Sequence, residues 1–239
     1  MKTLDLKIGY AGMSHLGINS SVAAAEKVYK VVAFDNDKVI IDELNAGFTN
    51  IDEPNLNKKI RDLKEKIKYT SSITDLFDCD IVYISQDVPT DQNGESDFNL
   101  INRLIKQVNS SIKKEANLVV LCQVPPGFTR KINRESSKLY YQVETLIFGR
   151  AIERATLPER IILGCHDNIH FIDQKLIDFL KMFVCPIIPM IYESAELAKT
   201  AINIVLAAQV SVANSLAEIC EKTKGDWNEI IPALNLDKR

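Results

Sequence analysis

Six short, mostly apolar runs alternate with longer helical stretches, and this alternation most narrows what the chain can fold into. The runs span residues 6–11, 31–35, 81–85, 117–122, 160–164 and 187–190. A strand with one wet face alternates apolar and polar residues, whereas a strand covered on both faces is apolar throughout. Continuous runs parted by helices therefore predict a doubly wound α/β fold, a Rossmann-like parallel sheet with helices on both faces.

The pattern changes near residue 191. Residues 193–222 contain neither Pro nor Gly, and Leu197, Ala201, Ile204, Ala208, Val212, Leu216 and Ile219 keep helical spacing. A helix of about 30 residues is about 45 Å long. That is too long to cover a sheet only, and it is apolar beyond one stripe, which points to an intersubunit or interdomain helix. We expect a dinucleotide-binding domain over 1–190 and a long central helix with the start of a helical region over 191–239.

Composition excludes other classes. Of 239 residues, 46% are hydrophobic and 26% charged, which is neither disordered nor collagen-like. Twenty-nine Lys+Arg against 32 Asp+Glu leave a formal charge of −3, against a nucleic-acid-binding role. The N-terminus has no signal-peptide core, and no uninterrupted run of 18 apolar residues occurs, so neither export nor a membrane span is expected. Cys79, Cys122, Cys165, Cys185 and Cys220 are scattered, which reads as free thiols in a reducing cytoplasm and no structural metal.

The first run ends in Gly12-Met13-Ser14-His15-Leu16-Gly17 and leads into a helical stretch. This is the dinucleotide fingerprint G-x-G-x-x-G with serine at its second glycine. The first glycine permits a tight turn and the last lets helix and strand pack closely; Ser14 adds a hydroxyl able to bond a phosphate. Asp35, 23 residues after Gly12, closes the second run where a carboxylate holds a ribose diol. No arginine follows it to receive a 2′-phosphate, so NAD is expected over NADP, with Gly12, Met13, Ser14, Gly17 and Asp35 as its contacts. The bland alternative is a pair of turn glycines and a helix-capping aspartate. Lys199 and Asn203 lie four apart and share a helix face among small apolar neighbours. They are either a polar pair that stabilises an oxyanion or a snorkelling lysine beside a structural asparagine.

Taken in order, the motifs resemble the UDP-glucose/GDP-mannose dehydrogenase family, whose enzymes oxidise the C6 alcohol of a nucleotide sugar to a carboxylate with two NAD. The resemblance rests on the Gly12–Gly17 turn, Asp35, Leu44-Asn45-Ala46-Gly47, Glu53-Pro54-Asn55-Leu56 and Gly94-Glu95-Ser96-Asp97. It continues through Val124-Pro125-Pro126-Gly127-Phe128-Thr129 and Ala195-Glu196-Leu197-Ala198-Lys199 with Asn203. It implies that Lys199 and Asn203 line the reacting sugar and that Glu144 binds substrate or moves protons. It further implies that Leu146 and Gly149 offer backbone contacts to a nucleotide-sugar substrate, and that the long helix packs on its two-fold mate in a homodimer. Beside Ser14, three residues depart from the family pattern: Thr145 and Phe148 replace residues of its E-F-L-x-E-G segment, and Gln123 stands where threonine is usual. The family's nucleophilic cysteine motif, G-G-x-C-F-x-K-D, is not present, nor is its second domain. The resemblance thus implies part of a longer enzyme. Alternatives are a dinucleotide-binding or dimerisation module without turnover, and a β-hydroxyacid-type dehydrogenase.

Overall fold

The computed structural model describes residues 5–28, 30–167 and 171–237. Its first compact unit runs through Leu197 and its second begins at Ala198, a few residues past the composition shift. In the first unit the apolar runs become strands: Lys7–Ala11 (β1), Lys30–Phe34 (β2), Ile81–Ile84 (β4), Asn117–Val120 (β5), Ile161–Cys165 (β7) and Ile187–Ile191 (β8). Two further strands, Ile67–Thr70 (β3) and Leu139–Gln142 (β6), were not foreseen. Each is four residues long, lies beside lysine, and has too short an apolar run to stand out.

The eight strands form one sheet in the order β3-β2-β1-β4-β5-β6-β7-β8. Neighbours are parallel except β6 and β7, which meet antiparallel at Tyr141 and Gly164. Pro189 is tolerated in β8 because that strand lies at the sheet edge. Strand order reverses at β1, which pairs with β2 on one side and β4 on the other, Gly9 lying opposite both Val32 and Val82. In an open parallel sheet such a reversal leaves a crevice beyond the carboxyl ends of the two strands, where ligands bind.

Helices cover the sheet. They are His15–Lys27 (α1), Lys38–Asn45 (α2), Leu56–Asp62 (α3), Asn99–Ser111 (α4), Ala151–Thr156 (α5) and Gln174–Lys181 (α6). α1 buries Leu16, Ile18, Val22 and three successive alanines, Ala23 to Ala25, and small side chains let it lie close to the sheet. α4 buries only one stripe, Ile101, Leu104, Ile105 and Val108, and leaves its other faces to solvent. Asp37 and Asp173 cap α2 and α6 by accepting from Val39 N and Lys175 N.

Tyr192–Thr223 (α7) is one continuous helix of 32 residues, one residue longer at each end than its sequence pattern predicts. Its first two turns are rooted in the first unit. Tyr192 is fully buried and donates to Leu139 O at 2.6 Å. The buried Glu196 carboxylate accepts from Gly127 N at 2.5 Å and Thr129 N at 2.8 Å, holding the Pro125–Thr129 turn. Glu193 forks onto Arg130 at 2.5 and 2.9 Å, and this guanidinium holds its carboxyl down to about 2. In the second unit α7 continues to Thr223, the φ of +60° at Lys224 ends it, and Asp226 caps Trp227–Leu236 (α8). Ile204, Val205, Leu206, Val210, Val212 and Ile219 are exposed. By length and composition α7 could cross a membrane, a test that a core helix of a soluble protein also passes. No uninterrupted apolar run announces this, because Lys199, Thr200, Asn203, Gln209 and Ser211 punctuate the helix.

Removing the Glu196 carboxylate leaves a buried N–H donor, Thr129, and a half-buried one, Gly127, without this partner. Glu196→Ala should lower stability by about 2–4 kcal/mol, from ~1–3 kcal/mol for each orphaned donor. Urea unfolding measures this, and Glu196→Gln should recover part of the loss.

Candidate cofactor and sugar site

The turn after β1 is built around two glycines that admit no side chain. Gly12 has φ +97°, and a β-carbon there would stand 2.8 Å from Gln86 Cβ. A β-carbon on Gly17 would stand 1.8 Å from the Gly12 carbonyl oxygen. The close approach of α1 to β1 therefore requires glycine at both positions. Asp35, just past β2, accepts from Met13 N at 2.6 Å through one oxygen and from Asp37 N at 2.8 Å through the other. A carboxylate has about four acceptor positions, so two remain for a ribose diol.

Ser14 takes a different part from the one expected. Its hydroxyl donates to Ser85 O at 3.2 Å and accepts from Asp87 N at 2.9 Å. Its hydrogen is thus committed within the protein rather than offered to a phosphate, and the side chain ties the turn to the end of β4. Ser85 closes the knot by donating to Gly12 O at 3.0 Å. The serine sits at φ −75°, where any residue is at ease.

These residues fit a dinucleotide. α1 starts at the turn with no acidic residue in its first turn, and the first N–H groups of a helix have no intrahelical partners. Beside the turn lies a cleft of about 610 Å³ lined by Gly12, Met13, Asp35, Ile40, Arg103 and Leu104 among others. Gly12, Met13, Ser14, Gly17 and Asp35 are brought together as the sequence implied.

A second, smaller cavity of about 150 Å³ adjoins α1 and is lined by His15, Leu16, Asp87, Glu144, Leu146 and Phe148. Glu144 bends back so that its carboxylate accepts from Leu146 N. The segment is held from behind by Glu53, which no single motif marks as functional. Its side chain is 1% exposed, and it accepts from Gly149 N at 2.9 Å, Ala151 N at 3.2 Å and the His15 ring at 2.8 Å. Burial works against its charge, yet the bonds from His15, Gly149 and Ala151 outweigh burial and hold the carboxyl below its ordinary value. With Nε2 of His15 on this carboxylate, the imidazole also packs against Phe148 in a tilted pair, ring centres 4.5 Å apart. Gly149, at φ +78°, spends its N–H on Glu53 and keeps its carbonyl. One carboxylate thus joins the first residue of α1 to the 144–151 segment, well over a hundred residues further along the chain.

Lys199 and Asn203 stand one turn apart on α7, in the second unit. Burial pushes the Cys79 and Cys122 thiols up to about 12 and Cys165 up to about 11, the reverse of what a thiolate nucleophile needs. Among the described residues no group of three or more His, Cys, Asp or Glu is placed to hold a metal.

Glu53→Gln should cost about 1–3 kcal/mol at pH 7, the penalty for a buried donor facing the wrong group. Because the Glu53 carboxyl titrates lower folded than unfolded, its contribution is present above pH 4.5 and fades as pH falls through the folded value. Chemical denaturation at pH 7 and at decreasing pH below 4.5 should show the gap between wild type and variant narrowing in acid.

Comparison with known proteins agrees with this geometry. Residues 6–183 match the NAD binding domain of the UDP-glucose/GDP-mannose dehydrogenase family, and residues 193–239 match its central domain. The UDP-glucose 6-dehydrogenase TuaD of Bacillus subtilis is 29% identical over 245 residues, covering 98% of this chain and 53% of the relative. The UDP-glucose 6-dehydrogenase of Rickettsia typhi is 26% identical over 250 residues, covering 98% and 56%. Among solved structures, a UDP-glucose dehydrogenase from Pyrobaculum islandicum superposes with a TM-score of 0.85 at 24% identity, covering all of this chain and 58% of that one. A GDP-mannose dehydrogenase from Pseudomonas aeruginosa gives 0.85 at 21%, covering 98% and 57%. At these identities the superpositions speak for the fold. The chain spans about half the length of the curated relatives cited. With both family segments matched in order, the chain belongs to the UDP-glucose/GDP-mannose dehydrogenase family, as its NAD binding domain followed by sequence of its central domain.

Proposed function

We propose that this chain supplies the NAD site and one wall of the sugar site of a cytoplasmic nucleotide-sugar 6-dehydrogenase, of the kind that takes UDP-glucose to UDP-glucuronate. The observation that carries this is the meeting of two segments at one end of the sheet. His15 and Leu16 of the cofactor turn line the same cavity as Glu144 and Leu146. An alcohol held against Glu144 would lie beside a dinucleotide bound at the turn.

When bound, NAD accepts a hydride from the C6 carbon in each of two oxidations. The chain's own residues bind and orient. Gly12 and Gly17 clear the space the pyrophosphate needs, the α1 N-terminus faces its charge, and Asp35 takes the ribose hydroxyls. Glu144 receives or returns the proton of the reacting hydroxyl. The Leu146 backbone and the Gly149 carbonyl steady the nucleotide sugar. Lys199 and Asn203, on one face of α7, stabilise alkoxide-like oxygen as it develops. The apolar surface of α7 supports assembly as a homodimer: each leucine or isoleucine buried there contributes ~1.5–3 kcal/mol, so a second copy of the helix is its natural cover. The second oxidation calls for a thiolate to capture the aldehyde, and the buried cysteines here do not offer one.

Two outcomes follow. Calorimetry should show NAD binding to this chain in preference to NADP, and Asp35→Ala should weaken NAD binding by ~1–3 kcal/mol, as for a lost hydrogen bond to a charged group. Absence of NAD binding would instead favour a module without turnover. The purified chain given UDP-glucose should not release two NADH per sugar, and detecting that stoichiometry spectrophotometrically would overturn this division of labour.

A further inference from the structure

Sequence adjacency puts no arginine beside Asp35, but the fold brings one to the same cleft. Leu100, Arg103, Leu104 and Gln107 of α4 line the 610 Å³ cleft together with Gly12 and Asp35. The two walls touch. Asn36, the residue after Asp35, and Gln107 exchange paired amide hydrogen bonds, each 3.1 Å. Arg103 stands one helical turn before Gln107 on the same face, about 5–6 Å away between β-carbons. A guanidinium on a side chain of that length reaches the space beside Asp35.

Arg103 is also unspent. It is exposed and makes no hydrogen bond, ion pair or ring contact among the described residues. Each of the other described arginines donates at least one hydrogen bond to the protein. The cleft therefore carries two carboxylates, Asp35 and Asp37, and one uncommitted guanidinium. Asp37 is partly spent on the α2 cap, through Val39 N. Asp35 is the carboxylate placed at the ribose.

We propose that Arg103 is a second specificity residue of the cofactor site, able to clamp a 2′-phosphate, and that the charge of Asp35 alone keeps NADP out. This rests on the dinucleotide reading of the cleft. A guanidinium matches a phosphate with two parallel N–H···O bonds, whereas a ribose hydroxyl gives it little to hold. With Asp35 ionised, a 2′-phosphate meets a carboxylate first and is repelled. With that charge removed, the same phosphate meets Arg103. Preference for NAD is then a property of one residue laid over a site whose opposite wall favours the phosphorylated cofactor.

The test is calorimetric titration of the whole chain with NAD and with NADP, each variant first checked for native melting. Asp35→Asn keeps an acceptor for Met13 N and drops the charge; it should raise NADP affinity roughly tenfold or more, the scale of a charge-assisted pair. Adding Arg103→Ala to Asp35→Asn should abolish that gain. If Asp35→Asn does not fold, Asp35→Ser carries the same comparison. NADP binding that is equally strong with and without Arg103 in the Asp35→Asn background would overturn the proposal, as would no gain at all in a chain that binds NAD. A chain that binds neither nucleotide, in wild type or variant, would overturn the dinucleotide reading itself and this inference with it.

Discussion

The site depends on a single buried carboxylate that joins two distant parts of the chain. Glu53 is 1% exposed and charged, which is tolerable only because two backbone N–H groups and an imidazole meet it. Those donors come from the first residue of the cofactor helix and from the segment that carries Glu144 and Leu146. The stretch from Phe148 to Gly149 has little hydrophobic anchorage of its own: Phe148 is 83% exposed, and Gly149 has no side chain. The relative position of the two segments is set by this carboxylate together with the packing of α1 against α5. Glu196 does comparable work at the other end of the sheet, where it accepts from Gly127 N and Thr129 N and joins the root of α7 to the preceding turn.

Much of this was legible in the sequence because it is local. A strand buried on both faces is a continuous apolar run, and a glycine that cannot bear a β-carbon remains a glycine, so β1, α1 and the turn between them follow from residues 6–28. The long helix was legible because nothing in residues 193–222 breaks it. What escaped notice depends on chain ends that meet only after folding. β6 is four residues, Leu-Tyr-Tyr-Gln, and is a strand because β5 and β7 flank it. Glu53 was visible within a recognised motif, but its partners at 15, 149 and 151 were not. Arg103 could not be tied to Asp35 without knowing that α4 lies across the cleft. Ser14 shows the converse: a residue that local pattern assigns to the ligand is taken up by Ser85 and Asp87, more than seventy positions away.

The cysteines bear on which steps of the proposed chemistry the described residues can carry. Capture of an aldehyde needs a thiol that ionises near neutral pH. Here burial drives three thiols the other way, so they act as small core residues, Cys122 even donating to the Ile84 carbonyl at 3.2 Å. In the proposed function, binding, proton movement and charge stabilisation fall to Asp35, Glu144, Lys199 and Asn203.

The claim at the centre of this account is that the cofactor turn and the 144–151 segment form one mechanical unit through Glu53. Amide hydrogen exchange followed by NMR, with and without saturating NAD, tests it directly. Cofactor bound at the turn steadies His15, and through Glu53 it should slow exchange of the Gly149 and Ala151 amides along with those of Met13 to Leu16. Slower exchange confined to the turn, with Gly149 and Ala151 unchanged, would contradict it.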